Sequence, residues 1–144
     1  MEQLHQTLTE QEVIQWFEEN LPVEDYRNKS ILLIIPDATR TAPLPLLFST
    51  FHRLLSPVAK QIDVLVALGT HPPMPEKDIC RLLGISESAR QAEYKDVGLY
   101  NHEWDNPERL TEIGTLTKED TKAISEGLLE MEVPVTINSR IRDY

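Results

Sequence analysis

The sequence predicts an α/β fold: a parallel sheet built from β-α-β units, with helices on both faces. Three observations lead there. Residues 31–35, "ILLII", and residues 61–68, "QIDVLVAL", are short apolar runs rich in β-branched side chains, too short for ordinary helices. Neither run shows the alternation of a strand with one wet face, so each reads as a strand buried on both faces. Helix-patterned segments follow each run, as the crossovers of a parallel sheet require.

The elements can be justified in order. Thr9 with Glu12 three residues on has the pattern of a capping box, and Val13, Ile14, Phe17 and Leu21 then recur at helical spacing until Pro22. After the turn-like "EDYRNKS" comes the first strand. "PLPLLFSTFHRLL" carries an apolar stripe through Leu44, Leu47, Phe48, Phe51, Leu54 and Leu55, and Pro57 ends it. The second strand follows, then a short helix in "PEKDICRLLG", with Pro75 suited to the first turn and Gly84 to the C-terminal cap. Beyond it, "SESARQAEY" reads as a helical turn, "NPERL" as a capped start with proline at the first helical position, and "VPVTI" as a last strand. "KEDTKAISEGLLEM" is too polar to assign.

The 144 residues suggest a single α/β domain, with enough chain to bury a core. A net charge of −10 without a Lys/Arg stripe argues against nucleic acid and anionic membranes as partners. No run approaches the roughly 18 apolar residues that a membrane span needs. One cysteine, Cys80, excludes an intrachain disulfide framework and fits a reducing cytoplasm.

The chemistry gathers where the apolar runs end. In open parallel sheets, ligands bind beyond the carboxyl ends of the strands. The first run passes into "PDATRTAP" and the second into "GTHPP". Arg40 is suited to holding a small carboxylate or phosphate through paired hydrogen bonds. Asp37 can orient Arg40, accept a substrate hydroxyl, fix a histidine tautomer, or simply form the turn. His71 can take and return protons near neutral pH. Gly69 lets the backbone approach a ligand, while Thr39 and Thr70 add small donors.

Other residues read as structural. His5 lies in the N-terminal segment, His52 on an otherwise apolar helix, and Cys80 among helical core positions. His102 stands near Trp104 in "NHEW", but no second histidine or cysteine sits at ligand spacing, so no metal site is expected.

"PDATRTAP", "VALGTHPPM" and "NHEWDNPERLTEIGT", in that order, resemble the N-terminal part of the nickel-dependent lactate racemase family. The resemblance implies racemisation or epimerisation of a 2-hydroxy acid by hydride transfer to a nickel pincer nucleotide. It makes His71 one of two histidines exchanging the hydroxyl proton, Arg40 the group holding the substrate carboxylate, and Asp37 its neighbour in the pocket. The family's second histidine, its cofactor-anchoring lysine and its nickel-ligating histidine have no counterpart here. Proline follows the histidine in "HPPM", where many relatives have a basic residue. The chain is therefore expected to be the N-terminal domain of a larger two-domain enzyme, with no cofactor bound and no activity alone. The remaining part of that enzyme and a small 2-hydroxy acid are its expected partners. The alternative is a non-catalytic module binding a small carboxylate or sugar phosphate.

Overall fold

The structure, a computed structural model, describes residues 7–144; His5 lies outside them. The chain divides into two compact units: residues up to Ala67 together with Met74–Tyr100, and Leu68–Pro73 together with Asn101–Tyr144.

The first unit opens with α1 (Glu10–Asn20), started by the expected capping box. Glu12 accepts from the Thr9 backbone N–H at 2.7 Å and hydroxyl at 2.8 Å, and the Glu12 N–H donates to the Thr9 hydroxyl at 3.2 Å. These bonds hold the Glu12 carboxyl below the usual carboxylate range. Phe17 meets Phe51 edge to face at 4.7 Å, seating α1 on α2 (Leu44–Leu55).

Strands β1 (Ser30–Pro36) and β2 (Gln61–Ala67) run parallel, paired residue for residue from Ser30↔Gln61 to Pro36↔Ala67. With β3 (Leu99–Asn101) they form a three-stranded parallel sheet of order β1-β2-β3. Helices α3 (Glu76–Leu83) and α4 (Glu87–Gln91) connect β2 to β3. Gly84 caps α3 with φ +71°, the left-handed conformation that glycine adopts freely.

The two apolar runs differ in burial. In β2, Ile62 through Val66 are all buried, so both faces of the central strand are covered, as expected. In β1 only Ile35 is buried and Ile34 is 55% exposed, which corrects the expectation that this run is buried on both faces. Its position in the sheet is the reason, because β1 is an edge strand and an edge has neighbours on one side only.

Asp63 interrupts the apolar run of β2 and is itself buried, 4% exposed. Its Oδ1 accepts from the Gly98 N–H at 2.5 Å and from Gln61 Nε2 at 2.7 Å, and the Val64 N–H donates to the Gly98 carbonyl at 2.8 Å. A carboxylate inside the sheet thus ties the approach of β3 to the centre of β2.

The second unit is built differently. Strands β4 (Leu110–Leu116) and β5 (Val133–Asn138) pair antiparallel, with an irregularity between Glu112 and Gly114. Helix α5 (Lys118–Ile124) fills the segment too polar to assign from sequence. It begins with another capping box, in which Asp120 accepts from the Thr117 N–H at 2.9 Å and hydroxyl at 2.8 Å. Buried Thr121 donates its hydroxyl to the Met131 carbonyl at 2.8 Å and accepts the Met131 N–H at 3.2 Å, fixing the approach to β5.

Candidate functional site

The residues after β1 form one turn. The Arg40 N–H donates to the Asp37 carbonyl at 3.2 Å, closing the four residues Asp37 to Arg40. Inside it, Asp37 Oδ1 accepts from both the Thr39 N–H, at 3.0 Å, and the Thr39 hydroxyl, at 2.5 Å. This is the side-chain-closed turn that aspartate favours. Asp37 is buried, 7% exposed, whereas Thr39 and Arg40 are exposed. Arg40 makes no ion pair among the described residues. The turn therefore buries the acid and presents the guanidinium, a donor-only group shaped for a carboxylate or phosphate.

The residues after β2 form a second turn. The His71 N–H donates to the Leu68 carbonyl at 3.0 Å. Gly69 sits within it at φ +59°, and a Cβ there would meet nothing within 4 Å. Backbone conformation, not crowding, is what calls for glycine at this position. Gly69, Thr70 and His71 are all exposed.

Because Pro36 pairs with Ala67, β1 and β2 end level with one another. Asp37 directly follows one of those ends and Leu68 the other. The structure thus brings Asp37, Thr39 and Arg40 together in one turn, and Gly69, Thr70 and His71 in another.

The residues read as structural are placed accordingly. Cys80 is a free, buried thiol that burial, reinforced by the Glu76 carboxylate, pushes above its ordinary range. The half-buried His52 ring packs edge-on to Tyr94 at 4.7 Å and lies 5.9 Å from Phe48. Burial holds His52 below the ordinary imidazole range, with Glu93 opposing. Both rings line a cavity of about 700 Å³ at the opposite, amino end of β2, beside Gln61 and Ile62. Two of its polar lining groups are already engaged. Arg53 pairs with Glu18 at 2.8 Å, and Gln61 Nε2 donates to Asp63 and to the Asp96 carbonyl. In the second unit, His102 Nδ1 lies 3.4 Å from the Asn138 amide, and Trp104 is 46% exposed.

Sequence reasoning missed Asp63 and the Thr39–Asp37 bond. An acid inside an apolar run was the available signal for the first. The second depends on a side-chain direction that residue order does not carry.

The first unit is a parallel α/β body whose β1 ends in a polar turn, while the turn from Leu68 to His71 belongs to the second unit. The chain belongs to the lactate racemase N-terminal domain family, whose model matches residues 4–140. It is also similar to a crystal structure of a protein from Thermotoga maritima, with a TM-score of 0.78 and 32% identity. That match covers 93% of this chain and 31% of the Thermotoga chain, so this chain spans about a third of that protein's length. A search of curated proteins gives no match.

The metal that family resemblance implies can be tested against these residues. Among the described residues, no group of three or more His, Cys, Asp or Glu is placed to hold a metal ion. They offer no ligand set for nickel.

Proposed function

We propose that this chain is the substrate-binding portion of a lactate-racemase-like enzyme that racemises or epimerises a 2-hydroxy acid. One observation carries the reading. In a chain that matches the family's N-terminal domain, β1 runs directly into a turn that buries Asp37 and presents Arg40 to solvent. Arg40 holds the substrate carboxylate, its fork of donors matching the two oxygens. His71 exchanges the substrate hydroxyl proton, an imidazole nitrogen being able both to accept and to return one. Asp37 shapes the turn that presents Arg40, with Gly69 and Thr70 forming the turn that presents His71.

A racemase must serve both faces of its substrate, and His71 serves one. The second proton-transfer residue and the groups anchoring the nickel pincer nucleotide are assigned to the remainder of a longer, two-domain enzyme. The match covers 31% of the Thermotoga chain, so a relative of this length has further chain in which such groups could lie. The chain alone is then inactive but retains weak affinity for 2-hydroxy acids, and its setting is the cytoplasm.

Two measurements test this. L-lactate supplied to the 144-residue chain with the nickel cofactor should give no D-lactate on chiral chromatography. NMR titration of L-lactate should move the amide signals of residues 37–40, and Arg40→Ala should remove that response. Turnover by the chain alone overturns the division of labour, and an undiminished response in Arg40→Ala overturns the role of Arg40. A response to acetate and sugar phosphates equal to that for lactate would favour a general anion-binding module.

A further inference from the structure

The cavity at the amino end of β2 is lined entirely by residues of the first unit. At about 700 Å³ it falls in the size range of small-molecule sites. Ile62, Val97 and the Tyr94 ring, all buried, give it apolar walls. Three uncharged polar groups stand among them. Thr50 on α2 is only 3% exposed, and its hydroxyl bonds no other group among the described residues. None of those residues has a side-chain N or O that is both sealed off and unbonded, so this hydroxyl opens on the cavity that Thr50 lines. A buried hydroxyl without a partner is costly, so the site calls for one. Gln61 spends both Nε2 hydrogens, on Asp63 Oδ1 at 2.7 Å and on the Asp96 carbonyl at 2.8 Å. Its Oε1 is left as an acceptor. His52 adds an imidazole that bonds no other described group, and burial favours its neutral form, with one N–H and one bare nitrogen.

We propose that this cavity binds an uncharged, flat nitrogen heterocycle of the nucleobase type, carrying ring N–H donors and carbonyl or ring-nitrogen acceptors. A ring N–H donates to Gln61 Oε1, an acceptor on the ring takes the Thr50 hydrogen, and His52 meets a group of either kind. The faces of the ring lie against Ile62, Val97 and Tyr94. Charge argues for a neutral ligand. Lys60, Glu93 and Asp96 around the cavity are exposed and of both signs, and Arg53 is paired with Glu18. The buried lining thus has no charge to offer an ion, and taking an ion out of water without one is expensive. A sugar asks for a polar partner around its whole ring, more than three groups supply. The site is separate from the carboxylate site read above and stands whether or not that reading does.

The test is NMR titration of the 144-residue chain with uracil, its N,N′-dimethyl derivative, benzoate and glucose. Uracil should give saturable shifts at Thr50, His52, Gln61 and Val97 while the signals of residues 37–40 stay still. Dimethyluracil keeps the ring and loses both N–H groups, so it should bind roughly 2- to 10-fold more weakly, the span of a single neutral hydrogen bond. Benzoate and glucose should bind more weakly than uracil. Thr50→Val keeps the side-chain shape without the hydroxyl and should weaken uracil binding by a similar factor, roughly 2- to 10-fold. Absence of saturable shifts at the cavity residues with uracil overturns the proposal. Equal binding of uracil and dimethyluracil by the unaltered chain overturns it without any variant. Benzoate or glucose binding as tightly as uracil overturns the ligand class, and an unchanged uracil affinity in Thr50→Val removes the group on which the proposal rests. If Thr50→Val fails to fold, the comparison of uracil with dimethyluracil decides alone.

Discussion

The two units of the molecule are held together by different forces. Among the described residues, all the buried hydrophobic side chains except Leu68 belong to the first, including Val64, Val66, Ile79 and Leu83, which lose almost all contact with water. In the second, Thr121 and Asn138 are buried, while Ile113, Ile124, Leu128 and Met131 are at least half exposed. Its order comes from hydrogen bonds: the β4–β5 ladder, the Thr117–Asp120 box, the Thr121–Met131 pair, and Ser125, whose hydroxyl accepts the Leu129 N–H at 2.7 Å. Apolar burial contributes roughly 25 cal/mol per Å², whereas an intramolecular hydrogen bond nets only about 1 kcal/mol. The lesson is that the unit carrying Arg40 is the stable platform, and the unit carrying His71 is the one free to open first.

Substitutions can break this comparison. Leu83→Ala leaves a cavity in the apolar unit and should cost about 2–5 kcal/mol of unfolding free energy in a urea titration. A loss under about 1 kcal/mol would mean that the core collapses around the gap and that burial matters less than claimed. Asp63→Ala orphans two donors in the same unit and should cost about 1–3 kcal/mol, with the amide of Gly98 losing protection from hydrogen exchange. Thr121→Val removes the hydroxyl that serves Met131 in the polar unit. It should speed exchange in β5 at a similar or smaller cost, leaving β2 protected. If β2 and β5 lose protection together, the two units unfold as one and the contrast is only local.

The smallest effect is set by pH. His52 binds its proton less readily when folded than when unfolded, because burial disfavours the charged ring. Stability should be level above the ordinary histidine value of about 6.5 and fall below it, as the unfolded chain takes up a proton that the folded one resists. His52→Phe should flatten that acid-side decline, visible as a smaller drop in melting temperature between pH 7 and pH 5. An unchanged slope in the variant would assign the decline to other groups.

The same contrast explains what the sequence disclosed. The first unit was legible because burial writes itself in composition, through two β-branched runs, an apolar helical stripe, a capping box and a glycine at a helix end. Its misreading, the burial of β1, came from the one thing a run cannot encode, whether a strand lies at the centre or the edge of its sheet. The second unit was mostly illegible because few of its residues are buried. In β4 only Leu110, Thr111 and Leu116 escape full exposure, and the irregularity near Gly114 shifts the register in mid-strand. Strand β3 is three residues long, below what any pattern resolves. Helix α5 had a readable signal in Thr117 and Asp120, the same box that was read at Thr9 and Glu12. The candidate site was legible as residue types at strand ends, since an abrupt change from aliphatic to polar marks a loop. The direction of the Thr39 hydroxyl needed coordinates.

Cys80 gives this stability difference a chemical clock. It is the chain's one thiol, enclosed on α3 and less acidic than a free cysteine, so alkylating reagents meet little thiolate until the helix lifts. The rate of its modification therefore times the opening of the platform that bears Arg40. Followed with and without lactate, that rate would report ligand binding to the chain as a slower reaction, with no fluorophore or tag added to the protein.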